Sequence, residues 1–297
     1  MYRTLVIVRH TFLEAIVQPI YSLLLGIGSA ILLIFGLLPF FTLGEDTIMY
    51  KSVALDVVLL LALIITLFAT SRSIYEEIED RTMLTLMSKP IQRWEVLVGK
   101  YLGIILSTAL VIAIFGAIIM FCTWVRIPMD YQLRAWTLDD RELKVLHDHR
   151  LMHEVTLIPT LILVWLQVSV LAAIGVALST RFSLVVNLPT VILIYIAGNL
   201  TRFLFPLDGR PPLVKAFAYT FSWLLPFLQV FDLRSLALYH DVAVPGTDYM
   251  NTPGVISLGT IWMGVFIAAG YGIAYATFAL GAGMWLFQTR ELGGAEG

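Results

Sequence analysis

Few groups in this sequence have the types and spacing to do chemistry. The densest set is His147, Asp148, His149, His153 and Glu154. On a helix, His149 and His153 at i and i+4 would present both imidazoles on one face, as two ligands of one metal ion must be, with a carboxylate to complete the set. The H-E-x-x-H signature fails because Leu157 stands at its last position. The expectation is an exposed polar helix that holds no metal. Gly99-Lys100 ends like a phosphate-cradling loop, but G-x-x-x-x-G-K-[ST] is broken on both sides, by Trp94 at the first glycine and Tyr101 after the lysine. No ATP site of its own is therefore expected. Gly28-Ser29-Ala30 would offer a serine nucleophile, yet no histidine lies at comparable depth in an apolar run to activate it. Cys122 is the single cysteine, which excludes an internal disulfide and any CxxC site, so a small packing residue is expected there.

A second group comprises Asp56, Gln167, Asn187, Asn199 and Arg202, which lie in or near apolar runs. Polar side chains are costly in lipid, so such residues line a substrate path, sit near helix ends or bond across helices. The runs around them dominate the chain. Of its 297 residues, 59% are hydrophobic and 13% charged, against about 45–50% and about 25% in soluble domains. The net charge of −2 gives no basic field for nucleic acid.

Six runs are long enough to cross a hydrocarbon core of about 30 Å as helices: 20–41, 53–71, 97–125, 157–179, 183–205 and 255–287. In lipid these must be helical, since unpaired backbone groups have no water to bond. The class expected is an all-α integral membrane protein, a single transmembrane domain over residues 1–297 with external loops at 126–156 and 206–254. Glycines interrupt the first, third and last runs, which marks those helices for close packing. The first run exceeds a signal-peptide core and lacks a small-x-small cleavage site, so it reads as a retained span. A seventh apolar stretch, 213–231, contains Lys215, Pro226 and Gln229. Proline removes a helix donor, and a re-entrant or interfacial helix pair is expected there. Lysines and arginines divide almost evenly between the two sides, but the compact basic segments around Arg181 and 72–96 place both termini in the cytoplasm.

Between the second and third runs the chain reads Glu76-Glu77-Ile78-Glu79-Asp80-Arg81-Thr82, then Leu84, Leu86, Met87, Pro90, Arg93, Trp94, Gly99 and Lys100. At 100° per residue Ile74, Tyr75, Ile78 and Thr82 share a face opposite Glu76, Glu77, Glu79 and Asp80. A helix lying on a surface is predicted, broken by Pro90. The order E-x-E-x-x-T, L, P-x-x-R, G-K, met here by Glu77, Glu79, Thr82, Leu86, Pro90, Arg93, Gly99 and Lys100, resembles the ABC-2 family of transporter permeases. Arg81 departs from the family, which often has glycine before the threonine.

The resemblance implies the membrane-spanning subunit of an ATP-driven transporter in a bacterial-type cytoplasmic membrane. It implies a second permease copy or related permease, and separate ABC-type ATPase subunits that carry ATP and magnesium, with no cofactor on this chain. Segment 72–96 would be the coupling helix. Glu77, Glu79, Asp80, Thr82, Leu86, Pro90 and Arg93 would contact the ATPase, while Gly99 and Lys100 mark entry to the third span. Asp56, Gln167, Asn187 and Asn199 remain the candidates for a substrate path. Two other functions fit the same residues: a non-transporting membrane anchor that docks an ATPase, and an intramembrane enzyme.

Overall fold

A computed structural model of the chain describes residues 2–38, 46–80, 82, 92–132, 140–204, 225–233, 238, 242–244, 247 and 255–288. They form α1 (Tyr2–Val17), α2 (Pro19–Leu37), α3 (Asp46–Thr70), α4 (Glu77–Glu79), α5 (Arg93–Gln132), α6 (Asp140–Ser179), α7 (Leu184–Leu204) and α8 (Leu258–Gln288). A π-helical turn, Ser71–Glu76, joins α3 to α4, and a 3-10 turn occupies Leu228–Phe231. A two-residue parallel pair, β1 (Val242–Ala243) with β2 (Ile256–Ser257), leads into α8.

The bundle is all-α, and five of its helices are long and apolar enough to cross a membrane. The position of each follows from where its apolar side chains fall. α3 and α6 carry apolar residues all round and are the most buried of the five spans; a helix with no polar face has to be covered on every side. α5 packs against both, α2 against α3 and α5, and α8 against α6. α2 buries one stripe, Tyr21, Gly28 and Leu32, while Leu23, Ile27, Ile34 and Leu37 remain exposed. Exposed apolar side chains in such a stripe are what a lipid-facing helix presents.

Helix starts are set by local chemistry. Gln18 is extended and Pro19 opens α2, where a missing N–H costs nothing because the first-turn donors lack partners anyway. Glu95 accepts from the Gln92 N–H at 3.1 Å, one half of a capping box at the start of α5. A Cβ on Gly99 would stand 2.9 Å from Ile7 Cγ2, and one on Gly103 would stand 2.8 Å from the Val8 carbonyl oxygen. These two glycines, four residues apart, are what lets α1 lie directly on α5.

The structure departs from the expected boundaries in several places. The second span begins at Asp46, the third runs on to Gln132 and the fourth begins at Asp140. The segment expected as a loop at 126–156 is therefore helical in its described parts, since Arg126 and the histidine segment are paired inside the protein and do not end the helices. The expected surface helix at 74–82 is not separate from the second span, because α3 passes without a break through the π turn into α4. Of its predicted faces, Ile74 and Ile78 are buried and Glu76, Glu79 and Asp80 are exposed, but Thr82, expected on the apolar face, is exposed, and Glu77, expected on the acidic face, is half-buried. The fifth expected span is α7, with 21 residues, whose apolar part, Leu184–Leu200, is shorter than the other five. Of the stretch 213–231 only residues 225–231 are described, an extended entry and the 3-10 turn, with Leu228 and Phe231 buried.

Candidate functional site

The elbow is built around one lysine. Lys100 enters the second turn of α5 and is only 3% exposed. Its Nζ donates to the Ser73 carbonyl oxygen, to Ser73 Oγ at 3.1 Å, and lies 2.7 Å from Glu77 Oε1. The π turn makes this possible: one extra residue per turn shifts the register of the backbone bonds and re-aims the side chains beyond it. Lysine supplies three donors and no acceptor, and here three oxygens meet it. The glutamate and the lysine, far apart in the motif, thus form one latch between the second and third spans.

Arg93 lies half-buried beside it and bonds elsewhere. Its Nη1 donates to the carbonyl oxygens of Phe287 at 3.1 Å and Gln288 at 3.3 Å, and its guanidinium lies 5.5 Å from the Phe287 ring centroid. The last carbonyls of a helix have no intrahelical partner, and a cation there also meets the negative end of the helix dipole. Arg93 therefore ties the end of α8 to the start of α5. Of the residues expected to contact a partner, Glu77 and Arg93 are occupied within the chain. Glu79 and Asp80 are exposed, and the exposed Thr82 donates to the Glu77 carbonyl oxygen at 3.1 Å. Leu86 and Pro90 lie outside the described residues.

The far end of the bundle holds a cluster that sequence alone places in solvent. Lys51 is fully buried, and its Nζ lies 2.6 Å from His153 Nδ1. A bond from the ammonium requires a lone pair on Nδ1, so the ring carries its own proton on Nε2. The His149 ring packs edge-on at 6.0 Å, and Glu154 lies close enough to attract the lysine. The expected exposed helix is corrected accordingly: His147 faces outward, but His149 and His153 turn into the bundle. Lys51 is legible in the sequence only as a charge near a span end. Arg126, also buried, donates from Nη1 to the carbonyl oxygens of Phe35 and Gly36 at 3.3 and 3.1 Å and pairs with Asp46 at 3.7 Å. Cys122 is a buried packing residue against Gly36.

Three of the four expected path residues meet at one cavity of about 130 Å³. Asp56 enters from α3, Gln167 from α6 and Asn199 from α7. Thr160, Tyr195, Phe231 and Asp232 join them, none of which the sequence singles out for a path. Asp232 follows directly on the apolar stretch that ends at Phe231, and that adjacency was the available signal. Asn187 is elsewhere: its Nδ2 donates to the Gly175 carbonyl at 3.1 Å and to Ser179 Oγ at 2.7 Å, closing the turn between α6 and α7. The side chain of Arg202 lies outside the described residues.

Five helices long and apolar enough to cross a membrane, with charges latched at their ends, mark a polytopic membrane protein. The chain belongs to the ABC-2 family: the family described as ABC-2 family transporter protein matches residues 18–184, more than half of the 297. The match covers the latch, Asp56 and Gln167, and stops before Asn199 and Asp232. Comparison with curated proteins gives no match.

Proposed function

We propose that this chain is the permease subunit of an ABC transporter, moving its substrate by ATP hydrolysed on separate ATPase subunits that dock at the elbow. It pairs with a second permease in a bacterial-type cytoplasmic membrane and keeps both termini inside. Six spans result if α7 crosses, and its 21 residues reach about 30 Å at 1.5 Å per residue.

The observation that carries the reading is the division of labour in the elbow. Lys100, Glu77 and Arg93 are held to the spans, while Glu79 and Asp80 stay exposed on the helix that prolongs α3. A partner pulling on those carboxylates moves a rigid extension of a buried span. Acidic groups at an interface recruit lysines or arginines, and the rigid lever is what coupling needs.

Co-purification with an ABC-type ATPase, together with ATP-dependent flux in reconstituted vesicles, tests the proposal. Glu79→Lys should reduce ATPase binding and flux while expression and membrane insertion hold, because like charges across an interface cost several kcal/mol. Glu142→Lys, in the first turn of α6, is the control and should bind normally. The chain alone should hydrolyse no ATP. Turnover by a preparation free of ATPase, or normal binding and flux in Glu79→Lys, would overturn the assignment.

A further inference from the structure

Both ends of α5 carry an exposed tryptophan, Trp94 and Trp124. At 1.5 Å per residue the helix between them covers about 45 Å, close to the ~40–45 Å of a bilayer with its headgroup regions. Tryptophans favour both headgroup levels, so Trp124 marks that level in the leaflet opposite the elbow. Phe121, also exposed, lies one turn deeper on the same face of α5, at acyl-chain depth. Over the Trp124 ring stands Arg150 of α6, with its guanidinium carbon 4.6 Å from the ring centroid. The ring attracts the charge but supplies no oxygen for the guanidinium's N–H donors. Arg150 is half-buried, its Nε is buried without a hydrogen bond, and it forms no ion pair among the described residues. Glu154 follows one turn later, where an i,i+4 partner stands, yet it is not paired with Arg150 and its attraction is to Lys51. Arg126, at the same end, is by contrast bonded to Phe35, Gly36 and Asp46.

An arginine at headgroup depth, stacked on an exposed ring and unpaired within the chain, fits a phosphate. We propose that Arg150 and Trp124 bind the phosphate of an anionic phospholipid in the leaflet opposite the elbow. The planar fork of a guanidinium matches two oxygens of a phosphate diester. Apolar surface at the depth of Phe121 is covered by acyl chains in any bilayer, and the chains that cover it bring their own headgroup to Arg150. That approach favours a lipid over a soluble anion. Charge favours an anionic lipid over a zwitterionic one, because the ammonium of a zwitterionic headgroup repels the guanidinium that its phosphate attracts. The inference rests on the chain crossing a membrane and not on transport.

The test is native mass spectrometry of the full-length chain, without ATPase, in a non-ionic detergent, titrated with dioleoylphosphatidylglycerol or dioleoylphosphatidylcholine. The first phosphatidylglycerol should bind about tenfold more tightly than phosphatidylcholine, the gain expected for a charged hydrogen bond. Arg150→Gln should abolish that preference, and Arg150→Lys, which keeps the charge without the fork, should retain part of it. Trp124→Leu should weaken phosphatidylglycerol several-fold. Melting temperatures separate a lost site from a damaged fold: in phosphatidylcholine Arg150→Gln should melt close to the wild type, since it breaks no hydrogen bond of the chain. Phosphatidylglycerol should raise the melting temperature of the wild type and leave that of Arg150→Gln unmoved. Inorganic phosphate in large excess should not displace the bound lipid. Equal retention of the two lipids by the wild type, an undiminished preference in Arg150→Gln, or displacement by phosphate, which would assign the site to a soluble anion, would overturn the proposal. Unfolding of Arg150→Gln in phosphatidylcholine would overturn it too, because the fold itself would then need the guanidinium. The measurement uses no partner, so its failure leaves the permease reading standing, and loss of ATPase docking leaves this site standing.

Discussion

Each end of the bundle buries a lysine and caps a helix with an arginine, but the two ends satisfy those charges differently. At the elbow Lys100 meets a carboxylate at 2.7 Å and two further oxygens. At the far end, about 33 Å along α3 and its extension (22 residues from Lys51 to Ser73 at 1.5 Å each), Lys51 meets a neutral imidazole at 2.6 Å. Its carboxylate neighbour, Glu154, keeps Oε1 buried without a hydrogen bond among the described residues. A charge paired to a charge resists displacement more than a charge paired to a dipole. The elbow is thus tied to the second and third spans more firmly than the far end is tied through Lys51.

Removing each lysine in turn should expose the difference between the two ends most strongly. Lys100→Met leaves Glu77 and the Ser73 carbonyl without their donor. Stripping one partner from a buried pair costs about 3–5 kcal/mol, and the lower end is expected because Glu77 is 22% exposed. Lys100→Met/Glu77→Gln should recover part of that loss. Thermal unfolding in detergent measures both. If the double variant is no more stable than Lys100→Met, the pair is not the latch described here.

Lys51→Met should cost less, by about 1–2 kcal/mol relative to Lys100→Met, since the acceptor it leaves behind is a neutral ring and Glu154 loses an attraction but no hydrogen bond to the lysine, while the desolvation penalty of a buried ammonium is abolished. The same unfolding series checks it. Equal losses at the two ends would show that both lysines are held alike, and the contrast between them would fall.

How much of this the sequence revealed depended on what each residue was bonded to. Five of the six expected spans were legible because apolar runs of span length must be helical in lipid, whereas the apolar part of α7 is shorter than the others. The elbow was legible as an acidic segment with a family pattern, and the exposure of Glu79 and Asp80 followed from helical periodicity. Its pairings were not, because Glu77 and Lys100 meet across a π turn that no local signal announced, and Arg93 finds its acceptors on Phe287 and Gln288, nearly 200 residues away. Lys51 and Arg126 were assigned to loops for the same reason, as a charge near a span end reads as solvated until its partner on another helix is known. Asp56, Gln167 and Asn199 could be flagged one by one as polar groups in apolar runs. That they share a cavity from which Asn187 is absent required the packing of α6 and α7.

The two arginines differ less from each other than the two lysines do. Arg93 and Arg126 both donate Nη1 to two successive carbonyls at a helix C-terminus, Phe287 and Gln288 on α8, Phe35 and Gly36 on α2. Arg126 is buried and has Asp46 at 3.7 Å, whereas Arg93 is half-buried and backed by the Phe287 ring. A cation at a helix C-terminus is worth about 0.3–1 kcal/mol when exposed and up to about 2 when partly buried. Arg93→Lys keeps that charge and gives up the planar fork, so its loss should be well under 1 kcal/mol, smaller than that of Arg126→Lys, which also disturbs a buried ion pair. Arg93→Gln removes the charge as well and should cost about 1 kcal/mol. Because α8 is held to α5 at this point, that loss should appear as faster hydrogen exchange in the last turn of α8, with the rest of the bundle unchanged. Uniform exchange in Arg93→Gln would mean that the end of α8 does not depend on this cap, and the elbow would then consist of the lysine latch alone.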